Sequence, residues 1–356
     1  MGKIDGHLWE TFCERLDAAG RRVMASAPDD PFDRVEGMRY VGRIARHALD
    51  HFIEGSDPAH PRLGSLPRMG GDNPDYIYVS APVSADYEYR LRGDRGEASF
   101  LAFSTYQGDV GTEEGLKLSG HLAGGDLECD SEGRFEISIS SDERPGNWLA
   151  MQSGTTQLMI RQSLLDRRNQ RPAHFSIERV GGGAPPPALD PARYAQQIDR
   201  AGQYVEGAIA QFLAWTDHYA ARPNEIRPLE PALASQAQGD PQTHYYLGYY
   251  DLKTDHALQI DLAPPACEYW NLQLCNHWLE SLDYENHRIH VNHHTAQFDE
   301  KGRVRMWVAE RDPGRPNWLD SAGHRHGCIV LRQVGTAEPD DPICRVVRLE
   351  SIEETR

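Results

Sequence analysis

The chain has 356 residues, 39% hydrophobic and 26% charged, the composition of a folded protein long enough for two domains and unlike a disordered one. With 37 Lys and Arg against 54 Asp and Glu, its net charge of −17 repels polyanions, so no nucleic-acid partner is expected. No apolar run reaches the roughly 18 residues that cross a bilayer, and "MGKIDGHLWETFCERL" lacks the basic start and apolar core of a secretory signal, so a cytoplasmic protein without a membrane partner is expected.

Residues 1–69 read as a helical N-terminal segment. In "MRYVGRIARHALDHFI", Met38, Val41, Ile44, Ala48, Leu49 and Phe52 recur at helical spacing, leaving Arg39, Arg43, Arg46 and Asp50 for water; Leu8, Trp9, Phe12 and Leu16 form a weaker stripe before it. Residues 70–182 change to short strands: "DYIYVSAPV", "DYEYRLRG", "ASFLAFSTY" and "RFEISISS". "GGGAPPPALDP" then breaks any helix or central strand and reads as a linker. It leads within 183–239 to a helix in which Ile198, Val205, Ile209 and Phe212 share a face. Strands return in 240–356 with "HALQIDLA", "EYWNLQLC", "RVRMWVAE" and "GCIVLRQV". The six cysteines are scattered without a C-x-x-C pair and are expected to be reduced and mostly buried.

The two strand sets are one pattern written twice. A shift of 169 residues sets Tyr76 on Tyr245, Asp86 on Asp255, His121 on His290, Asp130 on Asp299 and Gly133-Arg134 on Gly302-Arg303. With Pro145-Gly146 set on Pro313-Gly314, two residues inserted between Gly314 and Asn317 bring Asn147-Trp148-Leu149 onto Asn317-Trp318-Leu319, and one residue more brings Arg161-Gln162 onto Arg332-Gln333. D-x-x-G-R is hairpin-loop chemistry that chance can repeat; the Asn-Trp-Leu block at the right place is much harder to repeat by accident. The expected fold is mainly β: two tandem antiparallel sandwich or jelly-roll domains with accessory helices at edges or at the junction, each Trp closing one end of its sandwich.

"GGDNPDYIYVSAPV", "YWNLQLCNHWLESLDY", "HVNHHTA" and "DPGRPNWLDSAGHRHG" together resemble the bacterial family called domain of unknown function 1214, in its shorter type without the partner domain 1254. The resemblance covers the chain from about residue 38 onward. It implies a two-part β architecture and no activity, with Asp72, Asn73, Asp75, Asn292, Asp312, Asn317, Trp318, Asp320 and His324 as positions to watch.

"HRIHVNHHTA" packs four histidines into ten residues. As a strand it sends Ile289 and Val291 to the core and Arg288, His290, Asn292 and His294 to the other face. "AGHRHG" adds His324 and His326, with Asp320 just before. Three readings stay open: a divalent metal held by His290, His294 and His326, a metal-free polar site, or surface histidines. "GGDNPDY" is read as a turn ahead of a ligand site for Asp72, Asn73 and Asp75, and the carboxylates of "NHWLESLDYENH" as a solvated acidic loop ahead of a glycosidase-like pair. Phosphate-loop, dinucleotide and nucleophile-elbow motifs are absent, and no motif requires a cofactor.

The expected function is that of an enzyme acting on a small organic or sugar-like molecule by hydrolysis, elimination or isomerisation. His290 or His324 would serve as acid or base and Asp320 would orient it, while Arg288, Asn292, Trp318, Tyr284, Asp72 and Asn73 hold the substrate. The site would lie in the second domain or at the domain junction. The alternative is a non-catalytic small-molecule or carbohydrate binder, and a homo-oligomer is left open.

Overall fold

The computed structural model describes residues 6–182, 185, 186 and 188–353. The linker residues 183, 184 and 187 therefore lie outside the described residues. Helix α1 (Gly6–Ser26) turns through Ala27–Asp30 into α2 (Pro31–Leu49), where the Asp30 side chain accepts from Phe32 N and Pro31 opens the first turn. α2 continues into a π-helical turn at Asp50–Glu54. Phe12, Val23, Tyr40, Ile44 and Phe52 bury against Ile198, Val205 and Ile209 of α3 (Pro191–Ala220), which is capped by Asp190. The inward face of α2 is rotated from the expected stripe: Tyr40 is fully buried and Met38 is 49% exposed, as is Trp9 of α1 at 57%. Asp33, Glu36 and His47 bury on that same face, and Arg43 turns from water to Glu280. Gly37 lets α2 approach Trp278, whose ring a Cβ there would meet at 2.5 Å.

The first repeat runs β1 (Gly64–Ser65), β2 (Tyr76–Pro82), β3 (Tyr89–Asp94), β4 (Phe100–Gln107), β5 (Lys117–Ala123), β6 (Arg134–Ser140), β7 (Trp148–Ala150), β8 (Thr155–Ser163) and β9 (His174–Arg179). The second runs β10 (Glu225–Pro228), β11 (Thr243–Asp251), β12 (His256–Leu262), β13 (Tyr269–Cys275), β14 (His290–Asn292), β15 (Val304–Ala309), β16 (Trp318–Asp320), β17 (His326–Val334) and β18 (Ile343–Arg348). Sheet orders are β1-β2-β8-β4-β5 with β7-β6-β3-β9, and β10-β11-β17-β13-β14 with β16-β15-β12-β18. Element for element, the second sandwich repeats the first, so the chain is mainly β with two tandem sandwiches and a helical N-terminus. Short helices α4 (Pro231–Ala234) and α5 (Leu349–Glu353) flank the second.

The central strands of each five-stranded sheet, β4 and β8 in the first and β13 and β17 in the second, are buried on both faces. One face fills its own sandwich: Leu101, Phe103, Leu158 and Ile160 meet Leu91, Ile137 and Ile139 in the first, and Leu272, Leu274, Ile329 and Leu331 meet Leu258, Ile260 and Met306 in the second. Each such side chain contributes about 1.5–3 kcal/mol on burial. The other face meets its counterpart across the junction, where Tyr76, Phe100 and Ala102 pack on Tyr269 and Val334.

Three expectations are corrected here. β7 and β16 pair parallel, not antiparallel, to β6 and β15. Within each Asn-Trp-Leu block the tryptophan is half-buried, with Nε1 on Ser140 Oγ or the Ala309 carbonyl, and Leu149 and Leu319 enter the cores. The asparagine does the fastening: Asn147 bonds Glu128 N, Glu128 O and Glu136 O, and Asn317 bonds the equivalent Gln297 N, Gln297 O and Arg305 O. Of the six free cysteines only Cys275 and Cys328, on the junction face, are buried; Cys13 and Cys129 are exposed.

Candidate functional site at the junction of the repeats

Strand alternation that puts Ile160 and Leu331 in the cores puts Arg161 and Arg332, their neighbours in β8 and β17, on the junction faces. Both guanidinium groups are buried, at 6% and 5% exposure. Arg161 donates to Tyr106 Oη at 3.0 Å and Ser104 Oγ at 3.4 Å; Arg332 donates to Gln273 Oε1 at 2.7 Å and to the Gly71 carbonyl. All four acceptors are neutral, which leaves most of the five N–H donors of each arginine for something else. Asp240 acts on Arg161, and Asp72 on Arg332, through charge, and neither arginine forms an ion pair among the described residues.

The two arginines border a partly open cavity of about 210 Å³ between the sandwiches, lined also by α3 and by the loops before β2 and after β4. Its wall is mostly apolar, with Met69, Leu116, Met159, Phe212, Trp215 and Leu247; Tyr76, Tyr78, Tyr245 and Asp72 add polar groups. Burial pushes the Tyr78 phenol up to about 12 even though both arginines pull it down, so it is a neutral hydroxyl. Burial also raises the Asp72 carboxyl, opposed by hydrogen bonds from Ser281 N at 2.9 Å and Ser281 Oγ at 2.6 Å and by the charges of Arg68 and Arg332. A partly open, mostly apolar space bordered by one buried guanidinium from each repeat suits a small organic anion, since a carboxylate there would take charge-assisted bonds.

The residues singled out in the sequence fall into separate places. His290 and Asn292 face the junction, as alternation requires, but fasten Asp75 beside the cavity: His290 Nε2 lies 3.0 Å from Asp75 Oδ1, and Asp75 Oδ2 accepts from Asn292 Nδ2 at 3.0 Å and Tyr269 Oη at 2.7 Å. Asn73 joins this network through Tyr269 and Asn271 while accepting from Asp75 N, the turn that "GGDNPDY" suggested. Asp72 alone of the proposed substrate-binding residues lines the cavity.

The triad of His290, His324 and Asp320 is not assembled. Asp320 Oδ2 lies 2.7 Å from His287 Nδ1, and His324 is instead held between the Ser321 carbonyl and Glu36 Oε2, because helix α2 covers that end of the second sandwich. The metal set of His290, His294 and His326 is not assembled either: His294 is exposed, and His326 Nε2 sits 2.7 Å from Asp33 Oδ2. Arg288 is exposed, Trp318 packs beside α5, and Tyr284 lies under the guanidiniums of Arg68 and Arg167. Glu280, read as part of a solvated loop, is 1% exposed because Trp278 carries its segment into the helical layer. Arg161 and Arg332 are not among the site residues expected from the sequence, although a signal for them is present: a charged side chain within an apolar strand, at the same place in both repeats.

Fold and site define a two-sandwich β protein with an arginine-walled cavity between its repeats. A crystal structure of an uncharacterized protein from Burkholderia cenocepacia is similar at a TM-score of 0.94 and 40% identity, over 97% of this chain and 98% of that one, and the chain belongs to the same family as that protein. A Vibrio parahaemolyticus protein, 11% identical at a TM-score of 0.50 over 94% of this chain and 100% of that one, shares the fold. No protein-family model and no curated protein matches the chain.

Proposed function

We propose that the protein binds a small organic anion in the junction cavity, its carboxylate held by Arg161 and Arg332 and its apolar body by the wall beneath α3. The observation that carries this reading is the pair of buried guanidiniums, one from each repeat, with only neutral hydrogen-bond partners among the described residues. A buried charge without a direct counter-ion is costly, and a ligand that supplies one recovers that cost. We further propose that the protein works in the cytosol and that its family is that of domain of unknown function 1214, on the motifs quoted above.

The test is a thermal-shift and calorimetric screen of small carboxylic acids, each against its own amide. Acids that raise Tm where their amides do not, with binding weakened about tenfold or more in Arg161→Met and Arg332→Met, are the expected result; a hydrogen bond to a charged group is worth about 1.5–3 kcal/mol. Equal binding of acid and amide would remove the reading.

An enzyme working by acid–base chemistry in the same cavity is the second reading. It is favoured by Asp72, which lines the cavity with a carboxyl raised toward the neutral form. Asp72→Asn should then abolish turnover of a bound anion while leaving its affinity within a few fold. Turnover unaffected by this change would exclude Asp72 as the acid or base.

A further inference from the structure

The first two turns of α2 meet the loop between β16 and β17 in a buried group of charges that the junction cavity does not use. Asp33, Glu36 and His324 each bring one donor atom, and these atoms lie within 4.8 Å of one another. All three side chains are more than nine-tenths buried, at 3%, 6% and 6% exposure. Among the described residues, Asp33 Oδ1 has no hydrogen-bond partner, and His277, whose Nε2 also has none, is close enough to feel the charge of Asp33. An unpartnered carboxylate oxygen in such a place calls for a cation or a donor that it does not have.

The groups around these three atoms are arranged as partners of metal ligands are. His324 Nδ1 lies 2.9 Å from the Ser321 carbonyl, which fixes a proton on that nitrogen and aims Nε2 at Glu36 Oε2, 2.8 Å away. Glu36 Oε1 accepts from Arg39 at 2.8 Å and Oε2 from Asn276 Nδ2 at 3.2 Å. His326 holds the other oxygen of Asp33 at 2.7 Å. Ser321 thus orients the His324 ring and His326 the Asp33 carboxylate, while an incoming ion would take the place of the direct contact between His324 Nε2 and Glu36 Oε2.

We infer that Asp33, Glu36 and His324 bind one divalent transition-metal ion, which fastens the N-terminal helices to the second sandwich. Two carboxylates and an imidazole suit zinc or manganese, and no thiolate is present to select a softer ion. His326 and Arg332 lie six residues apart on one face of β17, so the ion sits ~20 Å from the cavity arginine, at about 3.3 Å per residue. It is a structural ion, and the anion reading stands or falls separately.

Protein made without a histidine tag is incubated with excess Zn²⁺ or Mn²⁺, desalted, and analysed for metal content and Tm. One ion per chain, a Tm raised by several degrees and reversed by EDTA, and affinity lowered roughly a hundredfold in Glu36→Gln and His324→Ala are expected, with His294→Ala unchanged. No retained ion with an unchanged Tm overturns the inference, as does undiminished binding in His324→Ala. If these variants do not fold, Co²⁺ added to the wild-type protein decides: the N–H that His324 gives to Ser321 should appear as one slowly exchanging, paramagnetically shifted proton. Its absence at one equivalent of Co²⁺ overturns the site.

Discussion

Glu280 and Asp75 are both buried carboxylates, and their partners set them apart. Glu280 accepts from Arg43 and from Asn276 Nδ2 at 3.1 Å, yet burial outweighs both and lifts its carboxyl to about 7, with the charge of Asp72 adding to the rise. Between the ordinary value of 4.5 and about 7 the folded protein keeps a proton that the unfolded chain has released. Glu280 therefore gives stability that is full below pH 4.5 and is lost as pH rises through about 7, by about 3 kcal/mol in all. Glu280→Gln, which imitates the protonated acid, should flatten urea-unfolding stability between pH 4.5 and 8; an unchanged slope would show that other groups carry it. Asp75, by contrast, gathers three donors, from Tyr269, Asn292 and His290. Asp75→Ala strands all three inside the junction and should cost about 3–5 kcal/mol, whereas Asp75→Asn, which retains one acceptor oxygen, should cost less. Denaturant melts of the two variants check the order, and a neutral Asp75→Ala would mean that water replaces the carboxylate there.

At the scale of elements, the repeated asparagine is the sharpest comparison the molecule offers. Asn147 and Asn317 make the same three backbone bonds to equivalent residues, so the chemistry is held constant while the setting changes. Asn317 is 1% exposed and has φ +56°, a left-handed conformation that asparagine tolerates and alanine resists; Asn147 is half-buried, and its φ is not positive. Asn317→Ala should therefore cost about 2–4 kcal/mol and Asn147→Ala about half as much. Equal losses in equilibrium unfolding would show that burial and backbone strain add nothing to the fastening. These same elements show what the sequence made legible. Strands and repeat could be read because hairpin loops and the Asn-Trp-Leu block recur in order. Asp33 and Glu36 could not be placed, since charged residues on an amphipathic helix look like a solvated face until a second element covers them. β14 keeps only three residues of "HRIHVNHHTA" because the Asn292 side chain accepts from His294 N and Thr295 N and turns the chain.

At the scale of the whole molecule, the junction is where a one-dimensional reading stops. Alternation along β8 and β17 assigns Arg161 and Arg332 to the face opposite each core, but only the meeting of the two sheets makes that face an interior and leaves a cavity in it. The same meeting predicts how the molecule comes apart. Residues before the linker supply α1, α2 and the first sandwich, and residues after it supply α3 and the second, yet α1 and α2 pack on α3 and the Asp75 network crosses between sandwiches. A protease site placed after Gly182 should therefore yield two fragments that elute as one species and unfold in one transition, within a few degrees of the intact chain. Each half alone would expose a sheet face bearing a buried arginine and several tyrosines, and should be insoluble or only partly folded. Two independent transitions, or fragments that separate without denaturant, would show that the sandwiches fold as separate domains. The cavity would then be a cleft between mobile parts, and binding of an organic anion should raise the lower of the two transitions toward the upper.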